Sequence, residues 1–157
     1  MKDNIVLKRV VENNFDDFVL LITKLARYEK LTPPDSQGKA RLKKDCLSKN
    51  PKFEAYLARI DSRFVGYVIF LMTYSSYLAL PTLYIEDIFV LEKYRRKGIG
   101  QKLFGFCIKQ AKELGCGRME WCAFNWNETA IKFYEKNKAT KLNKTYYRMT
   151  REQMEER

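Results

Sequence analysis

A short basic segment from Arg95 to Lys102, with the sequence RRKGIGQK, carries residue types suited to holding an anion. It follows an apolar run that reaches Val90. Gly98 and Gly100 lack Cβ atoms, so a phosphate group can approach their backbone closely. A helix that begins here would offer N–H groups without intrahelical acceptors, and its dipole would favour an anion. The segment predicts a phosphate site, although a basic turn capped by glycines is the simpler alternative.

Three anion-binding motifs compete for this segment. The dinucleotide motif G-x-G-x-x-G fails because Leu103 stands where its third glycine is needed, and the phosphate loop G-x-x-x-x-G-K-[ST] is absent. The pattern R-x-x-G-x-G, formed by Arg95, Gly98 and Gly100, remains.

Two further segments extend this pattern. Tyr84–Val90 (YIEDIFV) is an apolar strand interrupted by two acids, and Trp126–Tyr134 is WNETAIKFY. With the basic loop, they resemble the GCN5-related N-acetyltransferases (GNAT). Leu25–Leu31 (LARYEKL) adds similarity to the spermidine/spermine and thialysine acetyltransferases of that family. The resemblance implies a single acetyltransferase domain over residues 1–157, of mixed α/β class, with a central mixed β-sheet and about four flanking helices.

The resemblance implies acetyl-coenzyme A as the acetyl donor and an amine as the acceptor. The backbone of the strand before the loop would pair with the pantetheine arm as an added strand does, and a splayed strand or bulge there would free its polar groups. Asn127 could cap a helix, contact this arm, or do both. The implied coenzyme contacts are Ile88, Phe89, Val90, Arg95, Arg96, Lys97, Gly98, Ile99, Gly100, Gln101, Lys102, Asn127 and Tyr134.

The implied reaction needs a base and benefits from an acid. An alkylamine with a pKa near 10 attacks a thioester only after it loses a proton. Glu86 interrupts an apolar strand and is the predicted base, with a buried ion pair or a solvent-facing position as alternatives. Asp87 is expected on the opposite face of the strand. The resemblance assigns Tyr134 as the acid that protonates the leaving thiolate.

The resemblance implies that the acceptor is bound by Tyr28, Glu29, Glu86 and Asp87. Polyamine enzymes of this group carry an acidic residue where the present chain continues Thr73–Ser76 as TYSS. The net charge of +11 would also repel a polycation. The open acceptors are a polyamine or diamine, a lysine-like amino acid, and a protein amine. A non-catalytic acetyl-CoA-binding regulator is a further alternative, and nucleic-acid binding lacks any supporting motif.

Composition excludes several other classes of site. The chain contains no histidine, which removes Ser-His-Asp and Cys-His catalysis and most zinc sites. Its four cysteines form no C-x-x-C pair and are expected to be reduced and structural, so no metal is predicted. Apolar runs stay below the ~18 residues of a membrane span. The N-terminal residues lack the apolar core of a signal peptide, which favours a cytoplasmic protein, and the resemblance implies a homodimer.

Hydrophobic periodicity and turn residues predict the elements that position these groups. The predicted helices are Phe15–Leu31, Ser36–Leu47, Gly98–Leu114 and a short helix from Asn127 to Lys136, with a tail from Arg151 that is helical or frayed. The predicted strands are Ile5–Val10, Phe53–Ile60, Phe64–Tyr74, Tyr84–Leu91, Arg118–Phe124 and Thr145–Met149.

Overall fold

The structure is a computed structural model that describes residues 4–157. The chain forms two compact units, of which the first ends at Cys122 and the second comprises Ala123–Arg157. All the strands described below belong to the first unit. One acetyltransferase domain over residues 1–157 remains a prediction.

Within the described residues, five strands form one sheet in the order of the sequence. The first four pair antiparallel, whereas the fourth and fifth pair parallel. A parallel pair needs a crossover, and a helix between the two strands provides it. The predicted mixed sheet is therefore confirmed. The strands are β1 (Ile5–Arg9), β2 (Glu54–Ile60), β3 (Arg63–Ser75), β4 (Leu80–Val90) and β5 (Arg118–Trp121).

Five α-helices accompany the sheet over residues 4–157, compared with about four predicted. The additional one is the short tail helix, whose first turn is capped by the Thr150 side chain. The helices are α1 (Phe15–Tyr28), α2 (Ser36–Leu47), α3 (Ile99–Glu113), α4 (Glu128–Lys136) and α5 (Arg151–Glu155).

Helices α1 and α3 pack against opposite faces of the sheet. The α1 face contains Phe18, whose ring meets the ring of Tyr67 edge-on with centroids 5.5 Å apart. On the α3 face, Phe106 packs against Tyr56 and Phe70. Fully burying an aromatic or large aliphatic side chain contributes about 1.5–3 kcal/mol, so the two faces hold the strands in a defined register.

The predicted strand Thr145–Met149 is wrong, because these residues have no regular secondary structure in the second unit. Tyr146 and Tyr147 are 71% and 86% exposed. Tyrosine favours strands when it packs on a pleated, half-buried surface, and exposed tyrosines gain none of that energy. Strand β5 likewise ends at Trp121 rather than at the predicted Phe124.

Candidate active site

Strand β4 contains one extra residue where it pairs with β3. Asp87 is opposite Ile69 and Ile85 is opposite Phe70, so Glu86 has no residue opposite it. This is a β-bulge, which interrupts the alternation of side chains between the two faces. Because Ile69 belongs to the α1 face, its partner Asp87 lies on that face as well.

A cavity of about 460 Å³ lies beside the bulge, and both Glu86 and Asp87 line it. The prediction that Asp87 points away from Glu86 is wrong. The extra residue interrupts the alternation, so both side chains lie on the face of the cavity. The rest of the lining is mostly apolar and comes from α1, α2 and β3, with Ile22, Leu42 and Leu71 among its residues. Lys52 adds one positive charge to the lining.

Asp87 accepts a hydrogen bond of 3.1 Å from the hydroxyl of Tyr67, which is fully buried. Burial, together with the neighbouring charges of Glu86 and Glu29, raises the pKa of Asp87 to about 6, while the Tyr67 hydrogen bond acts in the opposite direction. Burial also raises the pKa of Tyr67 well above its usual range, so Tyr67 remains a donor. Asp87 can therefore change its charge close to neutral pH.

Tyr28 is the last residue of α1, and Glu29 caps the helix C-terminus. Burial raises the pKa of Glu29, whose charge also raises the pKa of Asp87. Glu29 therefore lies within electrostatic reach of the cavity carboxylates, although neither Tyr28 nor Glu29 is among the cavity's lining residues. The Tyr28 ring is 6.5 Å from the ring of Phe89, centroid to centroid.

The basic loop joins the end of β4 to α3. Gly98 caps the helix in the left-handed conformation, with φ of 85°, which suits a residue without a Cβ atom. Ile99 is buried and fixes the first turn against the sheet, whereas Arg96, Lys97, Gln101 and Lys102 are exposed. The first turn of α3, which includes Gly100, presents N–H groups without intrahelical acceptors beside these cations. This arrangement suits an anionic ligand.

The carboxyl end of β4 is open on the side of β5. In the strand pairing of the described residues, β5 accompanies β4 only from Thr82 to Ile85. The segment from Glu86 to Val90, which includes Ile88 and Phe89, continues without β5 beside it. An extended ligand with amide groups can pair with such an edge as an additional strand does.

The side chain of Arg95 folds back from the loop toward the sheet and α1. Its Nε donates a hydrogen bond of 3.0 Å to the carbonyl oxygen of Val90. Its guanidinium carbon lies 4.8 Å from the ring centroid of Tyr28 and 5.9 Å from that of Phe89. Arg95 thus contacts both the end of β4 and the end of α1.

The second unit contains the remaining two predicted site residues, Asn127 and Tyr134. Asn127 caps α4, since its Oδ1 accepts a hydrogen bond of 3.1 Å from the backbone N–H of Ala130. Tyr134 is partly buried in α4, and its ring meets that of Phe133 edge-on at 5.4 Å. The predicted helix cap is confirmed, whereas the coenzyme contacts of both residues remain predictions.

The cysteines have the character of structural residues. Cys46 and Cys107 are buried, and burial raises the pKa of their thiols to about 11 and about 12. A thiol with such a pKa carries almost no thiolate at neutral pH, so neither residue is a nucleophile. Among the residues that the structure describes, no three Cys, Asp or Glu side chains form a group suited to a metal ion.

A family model of the acetyltransferase (GNAT) family matches residues 20–138. The chain belongs to this family. The match spans the bulged strand, the basic loop and the α4 segment, and it confirms the resemblance found in the sequence. At the level of the family, the prediction of an acetyl-CoA-dependent N-acetyltransferase is confirmed as well.

Individual relatives agree with this assignment. The chain is 28% identical over 140 residues to thialysine N-epsilon-acetyltransferase of Sus scrofa, covering 84% of this chain and 82% of that protein. It is 53% identical over 70 residues to L-ornithine N5-acetyltransferase NATA1 of Arabidopsis thaliana, covering 45% of this chain but only 31% of that protein. The solved structure of an integron cassette protein from V. cholerae superposes with a TM-score of 0.83 at 26% identity, covering 99% and 97% of the two chains.

Two features of the site escaped prediction from the sequence. Tyr67 resembles any other core aromatic residue until the fold places its hydroxyl on Asp87. Lys52 precedes β2 and resembles a surface lysine until it is found lining the same cavity as Glu86. No local pattern identifies either residue, because Tyr67 is distant in sequence from Asp87, to which it donates, and Lys52 is distant in sequence from Glu86.

No helix within residues 4–157 is both long and apolar enough to cross a membrane.

Proposed function

We propose that the protein transfers the acetyl group of acetyl-coenzyme A to the primary amine of a small molecule, most favourably a lysine-like amino acid. One observation carries this proposal: β4 brings two carboxylates to an apolar cavity and leads, a few residues later, into the basic loop at the α3 N-terminus. A strand that serves both ends of the reaction can bring amine and acyl donor together.

The composition of the cavity supports the choice of acceptor. Glu86 and Asp87 suit an ammonium group, and the apolar walls suit a methylene chain. Lys52 suits a carboxylate and would disfavour a second ammonium group. An amino acid with a side-chain amine satisfies all three, whereas a polyamine meets an unfavourable charge. The names of the thialysine and ornithine enzymes agree with this preference.

The donor would be held by the loop and by the open edge of β4. The α3 N-terminus with Arg96, Lys97 and Lys102 suits the pyrophosphate, and Ile88 to Val90 suit the amides of the pantetheine arm. We include Asn127 among the arm contacts on the strength of its sequence segment. When bound, the coenzyme supplies the thioester that makes the acetyl group transferable.

In the proposed chemistry, Glu86 accepts a proton from the acceptor's ammonium, directly or through water. Asp87, with Tyr28 and Glu29, holds the acceptor. The amine nitrogen then forms a bond to the acetyl carbon while the carbon–sulfur bond breaks. Tyr134 donates its proton to the departing sulfur, a role that rests on the Phe-Tyr pair of its segment. The nitrogen loses its second proton to solvent as the amide forms, and proton exchange with solvent restores the Tyr134 phenol and the Glu86 carboxylate.

We also propose that the protein is cytoplasmic and forms a homodimer, and sedimentation analysis would test the dimer.

A turnover screen with acetyl-CoA tests the function directly. The acceptors are lysine, ornithine and thialysine, the matched diamines without a carboxylate, spermidine, and a lysine-containing peptide. We expect the amino acids to have the highest kcat/KM. Preferred turnover of the peptide would indicate a protein acetyltransferase instead. Tight acetyl-CoA binding without turnover of any amine would contradict the enzymatic proposal and favour a non-catalytic acetyl-CoA-binding regulator.

Lys52→Met tests whether the cavity distinguishes a carboxylate. The variant keeps an unbranched side chain that is one heavy atom shorter, and it removes the charge. We expect kcat/KM for ornithine to fall about fivefold and that for putrescine, the matched diamine, to stay or rise, a difference of about 1 kcal/mol typical of a partly exposed ion pair. Equal effects on both acceptors would remove Lys52 from acceptor recognition.

Glu86→Gln and Tyr134→Phe test the assigned roles. Glu86→Gln should lower kcat at saturating ornithine and acetyl-CoA, and an unchanged kcat would exclude Glu86 as the base. Tyr134→Phe should lower kcat by about 10²-fold or more, with little effect on the dissociation constant of acetyl-CoA. A parallel loss of coenzyme affinity would instead make Tyr134 a structural residue.

A further inference from the structure

Arg95 begins the basic loop, yet its side chain has a different environment from the cations that follow it. Arg96 and Lys97 are exposed, whereas Arg95 is partly buried between two elements of the first unit. Its Nε is bound to the carbonyl oxygen of Val90, and its guanidinium lies over the ring of Tyr28. The loop therefore uses its first cation for contacts within the protein.

These contacts depend on features that only arginine has. The Nε–H lies in the plane of the guanidinium, so the hydrogen bond to Val90 fixes the plane in which the group can stack on an aromatic ring. A lysine at this position would keep the positive charge but would lose both the Nε–H donor and the planar group. The arrangement also uses the last carbonyl group of β4, at the open edge of the strand.

The elements that Arg95 joins have different proposed tasks. Val90 ends the strand that holds Glu86 and Asp87, and the loop itself is the proposed donor site. Tyr28 ends α1 and precedes Glu29, whose charge acts on Asp87. A shift of the α1 terminus would therefore change the surroundings of the acceptor carboxylates without altering the loop's own charge.

We propose that Arg95 is a positioning residue that fixes the C-terminal end of α1 against the end of β4, so that a donor-loop side chain sets the geometry of the acceptor side. The role of the acceptor side rests on the function proposed above, while the physical connection between Arg95 and Tyr28 stands on its own contacts. Arg95 then acts on acceptor binding through Tyr28 and Glu29.

Kinetics of Arg95→Lys test the functional part, with Arg41→Lys as the matched control at an exposed arginine of α2 that does not line the cavity. For Arg95→Lys we expect the KM for ornithine to rise about fivefold, as loss of one cation–π contact and one hydrogen bond permits, with a smaller change in the dissociation constant of coenzyme A. Arg41→Lys should leave the KM for ornithine within twofold. A change in coenzyme affinity alone for Arg95→Lys would overturn the proposal.

A double-mutant cycle between Arg95→Lys and Tyr28→Leu tests the connection without any need for turnover. In denaturant unfolding, each single change should lower the ratio of folded to unfolded protein by about threefold to tenfold. The double variant should be about as stable as the less stable single variant. Tyr28→Phe keeps the ring and should keep the coupling to Arg95→Lys that Tyr28→Leu removes. Additive effects of Arg95→Lys and Tyr28→Leu would overturn the proposal, whether or not any amine is acetylated.

Discussion

The bulged segment of β4 and the basic loop that follows it present opposite charges in different ways. At the bulge, two carboxylates line a mostly apolar cavity, and a fully buried tyrosine holds one of them. In the loop, the cations Arg96, Lys97 and Lys102 are exposed, and backbone N–H groups of α3 provide the directional contacts. The acidic site depends on side-chain environment, whereas the basic site depends on backbone conformation.

This difference predicts how the two regions respond to change. A buried carboxylate has a shifted pKa, so the acidic region should respond to pH near neutrality. An exposed cation is screened by salt, so single charges in the loop should matter little, while a change in its backbone should matter more. The comparison would be contradicted if substitutions in the acidic region left the pH dependence unchanged, or if the loop responded more to loss of one charge than to a change in its backbone.

Asp87→Asn should give the largest effect. Loss of the negative charge should raise the acceptor KM at pH 7.5 by about tenfold or more, since charge-assisted contacts of a partly buried group are worth about 1.5–3 kcal/mol. Steady-state kinetics against ornithine and against acetyl-CoA would measure it. An equal rise in both KM values would contradict an acceptor role.

The same variant should be more stable than the unchanged protein at high pH. The pKa of Asp87 is about 6 in the folded state against a usual value of 3.8, so the folded state keeps its proton longer. The contribution of Asp87 to stability is therefore full below pH ~4 and lost as pH rises through ~6. Asp87→Asn should raise stability by roughly 2 kcal/mol at pH 8 and have little effect near pH 4, as measured by denaturant unfolding.

Gly98→Ala should give an intermediate effect, confined to the donor region. Beyond the adjacent residues, nothing crowds the position that a Cβ would occupy, so the cost comes from the φ of 85°. That conformation costs a residue with a Cβ atom about 1 kcal/mol. We expect stability to fall by that amount and coenzyme A affinity to weaken about fivefold, measured by calorimetric titration. An unchanged coenzyme affinity would show that the loop conformation is not needed for binding.

Tyr67→Phe should give the smallest effect, and a specific one. The Tyr67 hydroxyl donates to Asp87 and lowers its pKa, so its removal should raise that pKa. The acidic limb of the kcat/KM profile for the acceptor, which falls as Asp87 gains its proton, should move to higher pH by about half a unit to one unit. Other charged groups near Asp87 are Glu86, Glu29 and Lys52, and none of them changes. An unchanged pH profile would show that the Tyr67 hydroxyl does not affect the pKa of Asp87.

The proposed donor region could be singled out from the sequence because its parts are contiguous. Arg95, Gly98 and Gly100 lie within six residues, and the strand and helix on either side follow from their own periodicity. The acceptor region brings together residues from four elements, so its cavity depends on tertiary packing. Polar residues such as Tyr67 take their role from a partner twenty positions away.

Two of the wrong predictions, the face of Asp87 and the strand Thr145–Met149, have a common origin in strand pairing. Alternation places the Asp87 and Glu86 side chains on different faces of β4 only if every residue of β4 has one partner on β3. A single unpaired residue breaks that condition. The stretch Thr145–Met149 has the composition of a strand but no strand geometry in its unit. Composition indicates which residues tolerate an extended conformation, whereas pairing partners decide register and face.

The bulge at Glu86 has a consequence for how genes of this kind can change. Most single-codon substitutions in β4 alter one side chain, but deletion of the Glu86 codon would remove the extra residue and restore one-to-one pairing with β3. The pairs on either side of the bulge, Asp87 with Ile69 and Ile85 with Phe70, would keep their partners, so the rest of the strand would keep its register and its faces. The fold should therefore tolerate loss of this one codon better than loss of any other codon in β4, which would shift the register by one, although the protein would lose the Glu86 carboxylate.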